Sequence, residues 1–268
     1  MNKTTYTIGL IIISVSAISF GSGNIVVSNG NSAINISTNT FVEASDVKWQ
    51  EMVSTGESLL HKKQPKEAIE KYFDPVIEQF SLLSSTNTAQ IYCARDSKET
   101  LVYLIQVAAL HDSGEDKETP EFWGNRFAEK KDGAEVLSQF WAEAFFLKSY
   151  ALVELGDVRL AKEALKTAVG LSPLHSNYLA ELGHIYQLEK NWDMALEAFK
   201  ASEEAVSFSH PDSKEASLGR AWRGMGYAYI EQGKVDEAKK MYEQCLKLNP
   251  NDRSAVAELK YIEGLQDK

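Results

Sequence analysis

Among the side chains that could bind a metal, move a proton or attack a carbonyl, this chain has five histidines, two cysteines and 38 carboxylates. The histidines stand at positions 61, 111, 175, 184 and 210, and no two have the i, i+4 spacing that sets a pair of imidazoles on one helical face around zinc. Cys93 and Cys245 are too far apart in sequence to form a C-x2-C pair. The chain contains neither a Gly-x4-Gly-Lys loop to cradle phosphates nor a Gly-x-Ser-x-Gly elbow to raise a nucleophilic serine. Its Asp and Glu residues scatter over faces that helical periodicity turns toward water. These patterns argue against catalysis and predict no cofactor and no metal. The remaining room for an enzyme is the irregular stretch 88–137, which carries Tyr92, Arg95, Tyr103 and His111.

Charge narrows the partners. Twenty-eight basic against 38 acidic side chains give a net charge of -10, which disfavours nonspecific attraction to nucleic acid. The first residues read as an export signal: Lys3 and the amino terminus are followed by the apolar run Ile8–Phe20, and no charge intervenes between Lys3 and Glu43. Phe20-Gly-Ser22 and Val42-Glu-Ala44 are alternative cleavage sites, and an uncleaved anchor over 6–27 is the other version. Either version places the rest of the chain outside the cytosol, in the periplasm or cell envelope, with the membrane touched only through that anchor. A merely sticky tail is the plain alternative. Residues 23–46, rich in Gly, Ser, Asn and Thr, read as a flexible linker with β-prone triplets such as Ile25-Val26-Val27. Oxidising conditions would permit a Cys93–Cys245 disulfide, but Cys245 fits a buried packing role and no bridge is expected.

From Val47 onward the periodicity is helical, and the clearest stretch is Gly219–Asp252. It runs Trp222-Arg-Gly-Met225-Gly226-Tyr-Ala-Tyr229, then Gly233, Ala238-x3-Tyr242, Cys245 and Pro250. Gly226 and Ala238 are small enough for two helix axes to approach, and Trp222, Tyr229 and Tyr242 fill the space around them. Gly233 suits a left-handed turn between the helices, and Pro250 ends the second. A single hairpin cannot bury its own apolar stripes, so neighbours are required. Residues 142–175 and 176–209 supply them: Gly156, Ala161-x3-Leu165 and Pro173 in the first, Leu179-x2-Leu182-Gly183-x2-Tyr186 and Ala195-x3-Phe199 in the second. Nine extra residues, including His210-Pro211, separate 209 from the next unit and predict longer helices there. Trp49–Leu83 reads as a divergent hairpin with Gly56 and Ala68-x3-Tyr72, and with a kink at Pro75. Residues 88–137 read as one enlarged hairpin, with helices over 88–110 and 121–137 and a charged loop at 111–120. Ala255, Val256, Leu259, Ile262 and Leu265 line a last, capping helix over 253–268.

This pattern resembles the tetratricopeptide repeat, whose unit of thirty-four residues carries W-x2-L-G-x2-Y, A-x3-F and P. The resemblance implies an all-α fold, a right-handed α-α superhelix of helical hairpins with a C-terminal capping helix, and divergent hairpins over 47–141. Its implied function is protein or peptide binding, as a scaffold or assembly factor. In the family the first helix of each hairpin lines a concave groove. Carried onto the clear repeats, the groove positions include Glu143, Phe146, Tyr150, Asn177, His184, Arg220, Arg223 and Tyr227. Phe146 and Tyr150 fit packing equally well, Arg220 and Arg223 fit surface residues offsetting Glu203, Glu204 or Glu215, and His184 fits a structural histidine. Where chaperone-binding members hold a carboxylate with Lys and Asn, this chain has Phe146 with Tyr150, Ala180 with His184 and Arg223 with Tyr227, so a clamp of that kind is not expected. The alternatives are a self-associating structural repeat protein and, more remotely, an enzyme with its site in 88–137.

Overall fold

The computed structural model describes residues 17–21, 24–29, 32–38, 44–87, 89–97, 99–103 and 134–266. Most of the predicted export signal, the loop at 111–120 and residues 104–110 and 121–133 of the helices expected beside it lie outside the described residues. Among the described residues no helix is long and apolar enough to cross a membrane.

The repeats form antiparallel hairpins: α4 (Phe140–Glu154) with α5 (Val158–Leu171), α6 (Ser176–Leu188) with α7 (Trp192–Ala205), and α8 (Lys214–Glu231) with α9 (Val235–Leu248). The final α10 (Arg253–Gln266) packs on α9, as a cap should. Small residues set the approach within each hairpin. A methyl added at Gly183 would lie 2.9 Å from the Phe199 ring, and one at Gly226 would lie 2.7 Å from Tyr242. The turns repeat as well: Gly156 (φ 84) and Gly233 (φ 72) take the left-handed conformation, and Lys190 (φ 58) takes it in the middle unit. The nine-residue insertion, 210–218, holds the 3-10 turn Pro211–Ser213 and the start of α8, which is extended to 18 residues, and another 3-10 turn, Val206–Phe208, precedes it.

The first hairpin is α1 (Ala44–His61) against α2 (Pro65–Ala68) and α3 (Asp74–Ser85), joined by a π turn at Ile69–Phe73. The π turn corrects one expectation. The aromatic that packs on Gly56 is Phe73, not Tyr72. Pro75 has no N–H to donate to the carbonyl four residues back and its ring crowds that position; the wider turn just before it admits one extra residue. Trp49, Phe80, Trp141 and Phe145 then pack ring to ring at 5.7–6.4 Å, which seats this hairpin directly on α4.

The enlarged hairpin expected at 88–137 is corrected at both of its ends, which are extended, while residues 104–133 lie outside the described residues. Gln90–Ala94 is strand β4 and Ala134–Ser138 is strand β5, pairing in parallel with Gln90 opposite Ala134. Residues 99–103 are helical, as expected. The buried apolar runs within the two strands, Ile91–Ala94 and Val136-Leu137, are too short for periodicity to tell strand from a stretch of buried helix. The linker expectation is corrected too: Ala17–Gly21 (β1), Asn24–Asn29 (β2) and Ser32–Thr38 (β3) form an antiparallel meander, and β3 pairs in parallel with β5. The sheet order is β1-β2-β3-β5-β4. The β-branched residues of Ile25-Val26-Val27 and Ile34–Ile36 suit extended backbone, and Asn29-Gly30 is a strong hairpin signal. The α-α superhelix therefore carries a sheet beside it.

One apolar core runs from Val53 of α1 through Ala228 of α8. A smaller one, with Ala238, Tyr242, Cys245, Ala255 and Ile262, closes the C-terminal end, and Trp222 and Tyr229 touch both. Cys93 and Cys245 are both buried and unpaired, and the Cys245 Sγ lies 3.7 Å from the Gly219 carbonyl, as expected of a packing residue.

Candidate functional site

The repeat period brings residues far apart in sequence into rows. Tyr150, His184 and Tyr227 occupy equivalent places on α4, α6 and α8, as do Phe146, Ala180 and Arg223, and Glu143, Asn177 and Arg220. The first row lines one concave groove of about 490 Å³, together with Ala180, Arg220 and Arg223. Leu165, Ile185 and Phe199 form its floor, and Glu154, Glu181, Gln187 and Gly224 are also among its lining. Tyr150 and Tyr227 are 46% and 42% exposed, unusual values for tyrosines inside a concavity. The edge of Tyr227 rests on Trp192 at 6.1 Å, which fixes its ring while leaving a face open.

Three predicted groove residues are placed elsewhere. Phe146 stacks on Tyr178 at 4.6 Å, and His175 covers Tyr178 at 3.7 Å, so Phe146 belongs to an aromatic stack between hairpins. Asn177 is exposed at the start of α6 and does not line the groove. Glu143 points into a separate polar pocket.

Both arginines are already partnered. Arg220 donates to Glu181, and Arg223 Nη1 donates to Asp252 Oδ2 at 2.5 Å. These carboxylates replace the expected Glu203, Glu204 and Glu215; Glu203 instead accepts from the Trp222 indole at 2.7 Å. Asp252 also caps α10 by accepting from the Ala255 N–H at 3.1 Å. Burial acts to raise the Asp252 pKa, but the hydrogen bonds from Ala255 and Arg223 outweigh it and hold the carboxyl below its usual 3.8. Glu154 at the groove edge accepts from Lys63 at 2.7 Å. Gln187 spends its amide on the Gly224 carbonyl at 2.8 Å. Glu181 and Asp252 were not singled out by sequence, since neither residue type nor spacing distinguishes them from other surface carboxylates.

A second pocket, about 330 Å³, lies at the carboxyl ends of β4 and β5 and is lined by Gln50, Arg95, Asp96, Thr100, Gln139 and Glu143. Its chemistry is largely committed. Glu99, 4% exposed, accepts from the Arg95 backbone N–H, from Nε at 2.9 Å and Nη2 at 3.1 Å, and from the Tyr103 hydroxyl at 2.7 Å. Tyr92 stacks on Tyr103 at 5.3 Å. Burial, reinforced by Glu57, raises the Glu143 pKa above 4.5. The set Tyr92, Arg95 and Tyr103 is thus structural, and His111 lies outside the described residues. Among the described residues no group of three or more His, Cys, Asp or Glu could hold a metal ion.

Comparison with known proteins agrees with the repeat geometry. Residues 219–252 match the tetratricopeptide repeat, and residues 146–210 match a second model of the same repeat. Protein bimA of Emericella nidulans is 26% identical over 140 residues, covering 51% of this chain and 13% of bimA, so the chain spans a small part of that relative. Among solved structures, the MamA protein is 18% identical with a TM-score of 0.44, covering 78% of this chain and 77% of that one. The first repeat domain of Spaghetti (RPAP3), solved with an HSP90 peptide, is 21% identical with a TM-score of 0.42, covering 47% of this chain and 96% of that one.

Proposed function

We propose that this tetratricopeptide-repeat protein is a protein-interaction scaffold that holds an extended peptide segment of a partner in the groove of α4, α6 and α8. The observation that carries the reading is the row Tyr150–His184–Tyr227, which sets two half-exposed phenol rings and an exposed imidazole along one concavity. Aromatic faces held rigidly by a helical frame stack on peptide side chains at low entropic cost, and phenol hydroxyls hydrogen-bond to peptide backbone. The repeat frame adds rigidity: tight glycine contacts and a continuous core leave little conformational freedom to lose on binding.

The test is site-specific photo-crosslinking in cells. A photoreactive phenylalanine analogue at position 184 should give a discrete adduct, and the same analogue at Lys166, exposed on α5, should not. Equal crosslinking from both positions would remove the groove from the proposal. The reading also places the protein outside the cytosol, in the cell envelope, on the strength of Lys3 and the apolar run Ile8–Phe20. N-terminal sequencing of the mature chain tests this. Cleavage near Ser22 would remove β1, cleavage at Ala44 would remove β1–β3, and an intact Met1 on a cytosolic protein would refute export.

A further inference from the structure

We infer, building on the groove reading above, that the segment held is uncharged where it crosses the groove and is anchored by an aromatic or large aliphatic side chain, not by a carboxylate. The argument begins with the charges. Every arginine in the groove is satisfied by a carboxylate of the chain itself: Arg220 by Glu181 and Arg223 by Asp252. The side chains of those carboxylates are only 15% and 10% exposed, whereas the arginines are 40% and 37% exposed. An acidic ligand sharing either guanidinium would sit beside Glu181 or Asp252, so two carboxylates would compete for one positive charge and the ligand would meet a locally neutral pair rather than a free cation. A basic ligand meets the opposite obstacle, because Glu181 and Asp252 are occupied and Glu154 is held by Lys63. Neither sign of charge therefore meets an unopposed partner in the groove.

What remains open is apolar and aromatic. Between the two exposed tyrosines, Ala180 presents only a methyl and Gly224 no side chain, over a floor of Ile185 and Phe199 that are 2% and 3% exposed. Gly224 is required there, because a methyl at that position would run into the Phe199 ring. A small-residue depression flanked by two phenol rings matches the shape and polarity of one large apolar side chain entering from an extended backbone.

The test is selection of random dodecapeptides displayed on phage against the full chain, followed by binding of the recovered peptides, made with a fluorescent label, to the parent and to a Tyr150→Ala/Tyr227→Ala double variant. Both tyrosines are half-exposed, so the double variant should keep its fold, checked by circular dichroism. The expected result is enrichment of peptides with an aromatic or large aliphatic centre and net charge near zero. Their affinity should change less than ~2-fold between about 50 and 500 mM salt and fall at least ~10-fold in the double variant. Acidic peptides whose binding weakens steeply with salt yet still depends on the two tyrosines would overturn this inference and leave the groove reading standing. Peptides that bind the double variant as well as the parent, or no enrichment at all, would overturn both. A mass that grows with concentration for the parent and not for the double variant would make a second copy of the chain the occupant and overturn the peptide.

Discussion

Gly224 and Gly170 are both helical glycines, and replacing each by alanine should move stability in opposite directions. At Gly224 the added methyl would sit well inside 3.0 Å of the Phe199 ring. Reaching ordinary contact requires the ring to retreat by ~1 Å. It has nowhere to go, since Phe199 is 3% exposed and its ring also lies against Gly183, where a methyl would be 2.9 Å away. Overpacking a filled core costs about 1–3 kcal/mol, and the gain from replacing glycine by alanine in a helix returns up to ~1 kcal/mol. The net expectation is a loss of ~1–2 kcal/mol. At Gly170, in α5, an added methyl meets nothing within 4 Å and φ is not positive, so the helix gain of ~0.5–1 kcal/mol should appear uncancelled. Urea denaturation followed by tryptophan fluorescence separates the two. With slopes of about 1–3 kcal/mol per molar urea, the midpoints should differ by ~1 M. A Gly224→Ala midpoint at or above that of Gly170→Ala would refute the account of Phe199 as a ring held between two bare backbones, and with it the account of the groove floor.

Further outcomes are expected at Lys190, Asp252, Arg223 and His175. Lys190 holds the left-handed turn that Gly156 and Gly233 hold in neighbouring units, so Lys190→Gly should stabilise by ~0.5–1 kcal/mol, read as a higher Tm. Asp252→Ala removes both the α10 cap and the Arg223 partner and should cost ~1–2 kcal/mol, while Asp252→Asn should keep most of the cap. Because the Asp252 pKa is depressed on folding, its contribution is present above 3.8 and is lost as pH falls through the lower folded value, a slope that urea midpoints at stepped pH would show vanishing in Asp252→Asn. Arg223→Glu should accordingly lower stability by facing Asp252 with a like charge, so it cannot serve as a pure binding probe. His175 is buried, with its pKa brought down to about 3 by burial and by Arg95. A depressed histidine stabilises fully above its ordinary 6.5 and loses that contribution as pH falls from 6.5 toward 3, at up to ~1.4 kcal/mol per pH unit. Urea midpoints at pH 7 and 4.5 should show this slope in the parent and a flatter one in His175→Gln.

The repeats were legible because their contacts are local. Gly226 and Tyr242 lie sixteen residues apart, as do Gly183 and Phe199, and a single hairpin brings each pair together. Where the local pattern was distorted, reading faltered by one residue: the π turn before Pro75 moved the packing aromatic from Tyr72 to Phe73. The strands were missed because Ile91-Tyr92-Cys93 and Val136-Leu137 are short buried runs whose partners lie more than forty residues away. Two irregularities that looked separate turn out to meet. Arg95 Nη2, just after β4, donates to the Phe208 carbonyl at 3.2 Å, and Ser209 bonds to Ser176 at 3.0 Å, immediately before the nine-residue insertion.

Sequence alone determined the hairpins, their turns and which positions face one another from helix to helix, because glycine, alanine and aromatic residues at fixed spacing permit few other packings. It could place Tyr150, His184 and Tyr227 in one row. The tertiary structure alone decided what that row means, because burial and pairing are set by residues brought in from other repeats. It turned Phe146 inward onto Tyr178 and added Glu181 and Asp252 to the groove. Two arginines that the sequence left between a ligand's carboxylate and Glu203, Glu204 or Glu215 are thereby neutralised by other carboxylates of the chain, and the exposed tyrosines are what the groove leaves open.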